Sequence, residues 1–398
     1  MAENKKIHTP LLAVVKRDDL PTYKAILIRI LTFVVTFFLS MLICYFVIKE
    51  NYFEIIGTLF EGATFVAKNK ILPWNLIKDT ALLLAFAIAI IPAFKMKYWN
   101  MGANGQVLMG ALTSIVLMFY LNNSVVDGKI SNTFLLIIML IASILVSVIW
   151  AVIPAIFKVY FNTNETLFTL MMNYIAAGLV GYVNYVLAQG KKESPGIVNR
   201  ATKSGWLQAP TVGDTTLDKY FLPVLIIFII AVIIYIYMKK TKHGYEIAVV
   251  GDSINTAKYV GMNTKKIIIR TLVVSGIVCG IIGFIYASAI NHSIDKNTCG
   301  SLGFTAVLVG WLANFSPIII AGISFVLAFL TLGTSKISST YRLGSNDLSN
   351  VIIGLIFFTI LICEFFIRFK LVFNEQNKLY KFISKLFKKR EKEGVEEC

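Results

Sequence analysis

Nine stretches of this chain are long and apolar enough to cross a bilayer, and that recurrence limits the fold before any motif is read. They are residues 30–48, 80–94, 103–121, 134–157, 167–187, 221–238, 267–290, 317–332 and 351–369. A helix of about 20 apolar residues spans the hydrocarbon core and satisfies its own backbone groups, which lipid cannot do. A tenth stretch, 302–313, is too short to cross alone. It carries glycine and runs at once into Asn314-Phe-Ser-Pro317, so it reads as a half-helix packed inside the protein. Of the 398 residues, 57% are hydrophobic and 15% charged, where a soluble domain carries about a quarter charged. The expected fold class is an all-α polytopic membrane protein of about ten transmembrane helices.

Basic residues orient the spans, because Lys and Arg collect in cytoplasmic loops. Lys5, Lys6, Lys16 and Arg17 precede the first span, Lys95 and Lys97 follow the second, and Lys158 follows the fourth. Lys239 to His243 follow the sixth, and Lys385, Lys388, Lys389 and Arg390 lie beyond the last. Counted over ten crossings, all fall on one side, which makes both termini cytoplasmic. Lys191, Lys192, Arg200 and Lys203, in loop 188–220, fall outside and stand against this scheme. The expected organisation is a cytoplasmic segment 1–24, a membrane domain 25–370 and a charged cytoplasmic tail 371–398, solvated rather than inserted. The net charge of +16 sits in these loops, so nucleic acid is not the expected partner.

Much chemistry is excluded. No G-x-x-x-x-G-K-[ST] loop binds ATP, no serine lies in a G-x-S-x-G elbow, and His8, His243 and His292 are scattered. The five cysteines show no C-x-x-C spacing, and Cys44, Cys279 and Cys363 read as small apolar fillers. Deep charges are nearly absent: Glu165 lies at an entrance, and Glu364 with Arg368 reads as a local pair. Ion-coupled carriers keep an ionisable group at mid-membrane, so its lack counts against that class and against an intramembrane hydrolase. Neither a catalytic nor a metal site is expected, and no cofactor bound by this chain.

What remains inside is polar and neutral. Trp99-Asn-Met-Gly-Ala-Asn-Gly-Gln106 separates the second and third spans, and Asn100, Asn104 and Gln106 bring donors and acceptors without charge. It reads either as a buried break lining a cavity or as a cytoplasmic loop capping the third helix. A second cluster starts at Asn164, a natural helix cap, and places Thr166, Thr169 and Asn173 on one helix face. Pore lining and interhelical hydrogen bonding both fit. Glycine-rich starts at 101–110 and 299–310 hint at an inverted repeat.

One stretch cannot sit in lipid: Lys239-Lys-Thr-Lys-His-Gly-Tyr-Glu246, continuing to Arg270. Asp252 or Ser253 can cap a short helix over 254–259 and Gly261 can end it. A short helix outside the membrane suits docking into a partner's groove; a plain solvated loop is the alternative.

The sequence Asn100-Met-Gly-Ala-Asn-Gly-Gln-Val-Leu-Met-Gly-Ala111 resembles a signature of nucleoside ABC importer permeases, in the branched-chain amino acid and ribose permease superfamily. So does Asn164-Glu-Thr-Leu-Phe-Thr-Leu-Met-Met-Asn-Tyr-Ile-Ala176, and the stretches 244–263, 275–283 and 303–310 are similar to that family's later motifs. The chain departs from it with Ala248 for arginine, Ser253, Thr256 and Val260 in the polar loop, Asn104 for Glu, and Trp311 for a small residue. The resemblance implies a type II importer permease without an ATPase site of its own, in a bacterial cell membrane. Its implied partners are a cytosolic ATPase carrying ATP-Mg, a second permease subunit, alike or different, an extracytoplasmic substrate-binding lipoprotein, and membrane lipid. It further implies a path for nucleosides, purine nucleosides foremost, with a ribose-like sugar as the alternative. Trp99, Asn100, Asn104, Gln106, Thr169, Asn173, Phe304 and Thr305 are the expected path residues. Asp252, Ser253, Ile254, Asn255, Ala257, Lys258 and Tyr259, within loop 239–266, are the expected coupling contact.

Overall fold

The computed structural model describes residues 12–16, 22–64, 73–190, 195–212, 215–313, 315–342 and 347–373. Most of segment 1–24, Asn314, the tail beyond 373 and the side chains of Glu364 and Arg368 lie outside the described residues. In chain order the elements are β1 (Leu12–Lys16), α1 (Thr22–Ile48), α2 (Tyr52–Thr64), α3 (Trp74–Lys95), α4 (Ala103–Tyr120), α5 (Asn122–Val126), α6 (Asn132–Phe161) and α7 (Glu165–Leu187). There follow β2 (Thr211–Val212), β3 (Thr215–Thr216), α8 (Phe221–Lys240), α9 (Lys242–Asp252), α10 (Ile254–Tyr259) and α11 (Thr264–Ile285). A π-turn, Tyr286–Ile290, extends α11 before α12 (Leu302–Leu312), α13 (Pro317–Thr340), α14 (Asp347–Arg368) and β4 (Phe369–Phe373). Among the described residues, nine helices are long and apolar enough to cross a membrane. The chain is a multi-pass, all-α membrane protein, and the four short strands among the described residues form two small ribbons.

Helices outrun the apolar runs that announce them. The second span begins at Trp74 instead of residue 80, and the fourth covers Asn132–Phe161 instead of 134–157, since polar residues cap and prolong helices beyond the lipid. Helix α2 was not legible as a helix, because Glu54 and Glu61 interrupt its apolar run.

The chain divides into two compact units, 57–344 and a smaller one made of 1–56 with 345–398. In the smaller, β1 pairs antiparallel with β4, Leu12 opposite Phe373 and Lys16 opposite Phe369. The start of α1 and the end of α14 therefore share one end of that unit.

In the larger unit, α3, α4 and α11 form the interior, with 72%, 67% and 61% of their apolar windows buried. Helices α6, α7 and α8 bury only 22%, 22% and 17%, so most of their surface faces outward. Small residues bring the inner backbones together, as packing without a hydrophobic drive requires. A Cβ on Gly283 would lie 2.6 Å from the Ala111 nitrogen, and one on Gly280 2.6 Å from the Ile144 Cα. Ser143 Oγ closes the same contact by donating to the Gly280 carbonyl at 2.7 Å.

Loop 195–212, which offered no motif, is pinned at the end of the unit where α4 finishes and α6 begins. Asn199 Nδ2 donates to the Met118 carbonyl at 2.7 Å, and the Gly205 nitrogen donates to Asn132 Oδ1 at 2.7 Å. Trp206 stacks on His292, with ring centres 3.7 Å apart and planes at 3°. Burial pushes the His292 imidazole down to about 4, and Lys219 adds to the shift.

Two outcomes follow for stability. Gly280→Ala is expected to lower stability by about 1–3 kcal/mol through overpacking. Gly178→Ala, where a Cβ meets nothing within 4 Å, is expected to be neutral or to stabilise by up to roughly 1 kcal/mol. Thermal unfolding in detergent separates the two. Because folding lowers the His292 value, the unfolded chain gains a proton first as pH falls. Stability contributed at His292 is therefore complete above its ordinary value of 6.5 and declines as pH drops toward about 4. His292→Phe is expected to flatten that part of the melting temperature–pH profile.

Candidate functional site

Helix α3 ends at Lys95, and Lys97 takes a left-handed φ of 58° that turns the chain back toward the interior. The returning segment is no cytoplasmic loop. Asn100 is fully buried and its Nδ2 donates to Ser275 Oγ at 3.2 Å. Ser275 lies eleven residues into α11, about 16 Å along it at 1.5 Å per residue. The break therefore sits at membrane depth, where each free backbone group needs a partner from the protein.

Side chains supply those partners. Asn100 Oδ1 accepts from the Gly102 nitrogen at 3.0 Å and from Gln106 Nε2 at 3.3 Å. Thr169 Oγ1 accepts from the Met101 nitrogen at 3.2 Å. Asn173 Nδ2 donates to the Met101 carbonyl at 2.8 Å, and its Oδ1 accepts from the Gly105 nitrogen at 2.8 Å. Glycine is required at 105, because a Cβ there would lie 2.7 Å from that oxygen. Asn104 reaches the other glycine-rich start: its Nδ2 donates to the Gly300 carbonyl at 3.2 Å and its Oδ1 accepts from the Gly303 nitrogen at 2.9 Å. The two starts singled out in the sequence thus meet at the beginning of the half-helix α12. Asn164 caps α7 by accepting from the Thr166 and Leu167 nitrogens.

The expected path residues therefore separate into two groups. Asn100, Asn104, Gln106 and Thr169 are buried and hold the break together, with Gln106 Oε1 left without a partner. Asn173 is half-buried and shares that work. Trp99 and Thr305 are half-buried, and Phe304 is 44% exposed on α12. Trp99 packs edge-on to Phe94 at 5.4 Å and tilted on Trp311 at 5.2 Å, while Phe315 lies 5.9 Å from Phe94. Trp311 is 45% exposed. Its identity stood out in the sequence, but its meeting with Trp99, 212 positions earlier (311 − 99), did not.

The polar stretch folds as two helices. Thr241 Oγ1 accepts from the Gly244 nitrogen to cap α9. Ser253 Oγ accepts from the Thr256 nitrogen at 3.2 Å to cap α10, and Gly261, at φ 80°, ends it. Asp252 is the last residue of α9 and not the cap, because Ser253 leaves helical geometry for an extended one and its hydroxyl caps α10. Ile247, Val250 and the fully buried Ala257 form one core with Ala93, Met96, Tyr98, Ala155, Ile267 and Leu272. Gly251 lets α9 touch the Lys95 carbonyl, where any Cβ would overlap. Arg270 pairs with Glu246 at 2.6 Å, and its hydrogen bond holds the Glu246 carboxyl below its ordinary value. Ile254, Asn255, Lys258 and Tyr259 stay exposed, Tyr259 at 94%. Met96 and Tyr98 connect this core directly to the break.

Membrane-length helices around a buried, neutral break, with a folded polar hairpin packed on its approach, define a membrane permease architecture. The chain belongs to the family described as branched-chain amino acid transport system, permease component, whose model matches residues 72–361. It is 25% identical over 254 residues to the guanosine ABC transporter permease protein NupP of Bacillus subtilis, covering 63% of this chain and 69% of that one. It is 26% identical over 260 residues to the nucleoside ABC transporter permease protein NupB of Lactococcus lactis, with 63% and 69% covered. It is also 23% identical over 303 residues to the glucose ABC transporter permease protein TsgB13 of Haloferax volcanii, with 74% and 77% covered. No solved structure matches the chain.

Asn173→Ala is expected to leave the Met101 carbonyl and the Gly105 nitrogen unpaired and to cost about 1–3 kcal/mol for each group stranded. Asn173→Asp would keep the acceptor for the Gly105 nitrogen but set a carboxylate against the Met101 carbonyl, and is expected to lose at least as much as the alanine variant. Thermal unfolding of the purified variants checks the order.

Proposed function

We propose that this chain is the permease subunit of an ATP-driven importer that moves nucleosides, purine nucleosides foremost, into a bacterial cell. One observation carries the solute assignment. The partly exposed rings of Trp99 and Trp311 meet at the uncharged segment 99–106, and Phe304 and Thr305 lie about two turns earlier than Trp311 on α12. A flat, uncharged base stacks on such rings, and preferred ring separations of about 4.5–7 Å leave room for offset contact. The similarity to permeases named for guanosine and nucleosides supports the same solute. A sugar is the second reading, favoured by the likeness to a glucose permease.

On this reading Trp99, Asn173, Phe304, Thr305 and Trp311 line the path, and Asn100, Asn104, Gln106 and Thr169 position it. Energy comes from ATP-Mg bound to a separate cytosolic ATPase, with no cofactor on this chain. Tyr259, Lys258, Asn255 and Ile254 touch that ATPase; Ala257 anchors α10; Ser253 and Asp252 set its angle. Displacement of α9 and α10 reaches Met96 and Tyr98 through their shared core and so moves the break. A second permease subunit completes the path, and an extracytoplasmic lipoprotein delivers solute at the opposite end. Both termini are cytoplasmic, an orientation supported by the β1–β4 pairing and by the basic residues near the hairpin.

The test is uptake by proteoliposomes holding the chain with its ATPase, second permease and binding protein. Tyr259→Ala with Ile254→Ala is expected to cut ATP-dependent guanosine uptake roughly tenfold, since exposed anchors of an interface carry more than 1 kcal/mol each. Uptake that needs no ATPase, or that a protonophore abolishes at constant ATP, would overturn the importer reading. Glucose uptake without guanosine uptake would favour the sugar.

A further inference from the structure

At the end of the larger unit opposite the hairpin, a cavity of about 550 Å³ opens between α7 and the segment that follows the π-turn. It is lined by Gly181, Asn184, Tyr185, Asp295, Lys296 and Asn297. Asp295 and Lys296 enter no ion pair among the described residues. A carboxylate and an ammonium thus face one cavity without being spent on each other. The apolar runs of the sequence concealed them, since they fall in the gap between two spans.

The lining is held from both sides. Asn184, nearly fully buried, donates through Nδ2 to the Ile294 carbonyl at 2.5 Å. The Asp295 nitrogen donates to Thr298 Oγ1 at 2.7 Å, and the Gly300 nitrogen donates to the Asn297 carbonyl at 2.8 Å. Gly300 in turn accepts from Asn104 at the break. The segment 294–300 therefore runs from the outer part of α7 down to the start of α12, and the cavity lies along it. Lys296 crosses α7 at Gly181, where any Cβ would overlap its Cε.

We propose that this cavity is an outer binding site for the hydroxyl-bearing ring of an uncharged solute, occupied before the solute reaches the break. A carboxylate accepts two adjacent hydroxyl donors, an ammonium donates to a hydroxyl or ring oxygen, and the Asn297 amide does both. The two charges cancel, so neither a cation nor an anion gains from the site as a whole. Its size falls within the about 300–1,000 Å³ of small-molecule pockets. The choice of ribose as the ring rests on the nucleoside reading above; the diol chemistry does not.

The reactivity of Lys296 tests the site without the partner subunits. The full-length chain in nanodiscs is treated with a small amine-acylating reagent, and the rate at Lys296 is read by peptide mass. Guanosine at twice its dissociation constant is expected to slow that rate about threefold, the factor one plus that ratio, whereas 2′,3′-dideoxyguanosine leaves it unchanged. Asp295→Asn is expected to abolish protection, and Gly181→Ala to alter the unprotected rate by displacing the lysine stem. Glucose, with diols but no base, is expected to protect if given in excess. Equal protection by the dideoxy compound would overturn the diol assignment, and no protection by any of the three would overturn the site. Protection without ATP-driven uptake of guanosine would sink the transport reading and keep the site. Uptake without protection would do the reverse.

Discussion

Every feature at the centre of this protein depends on one requirement: backbone groups released from a helix inside the membrane must be paired by the protein itself. The chain leaves helical geometry after Lys95 and resumes it at Ala103, and the freed groups lie far along α11 from its start. The amides of Asn100 and Asn173 and the hydroxyl of Thr169 pair with them, and Asn104 does the same for the start of α12. Neutral amides suit this because each carries donors and acceptors together, whereas a carboxylate would accept only and add a desolvation cost.

That requirement also decides what is left over for a solute. Polar groups used to close the break cannot serve freely as a wall, so the exposed surface nearby is aromatic: Trp99, Trp311 and Phe304. If the proposed path is the right one, its solute meets ring faces and neutral amides. The polar hairpin of α9 and α10 packs on Met96 and Tyr98, immediately ahead of the break.

Much of this was legible in the sequence where local chemistry decides structure. The long apolar runs became helices, Asn164 and Ser253 became caps, and Gly261 ended α10, because each depends on neighbours within four residues. What the sequence concealed depends on distance along the chain. Asn100 meets Ser275, Asn104 meets Gly303 and Trp99 meets Trp311, and no periodicity encodes those meetings. Two readings of the 99–106 segment stayed open for that reason, and burial resolved them in favour of the interior break. Helix α2 escaped notice because its glutamates mask a short amphipathic helix. Loop 195–212 escaped because its order comes from the Trp206–His292 stack and borrowed hydrogen bonds.

The departures from the family pattern acquire physical sense once neighbours are known. Ala248 leaves α9 without a guanidinium at that position, and the charged tie between the hairpin and the bundle is made by Arg270, which reaches from α11 to Glu246. Asn104 in place of a carboxylate is demanded by its contacts: it donates to the Gly300 carbonyl, which a glutamate in its ionised form cannot do. With glutamate there, the α12 start would lose a donor at membrane depth, and the break would hold a buried charge with no cation among its described partners. Trp311 adds a ring against Trp99, which a small residue would leave with Phe94 as its ring partner. Taken together, the changes place amides within the break and a second ring against Trp99. On the proposed function, such a path would discriminate by flatness and hydroxyl placement in preference to charge.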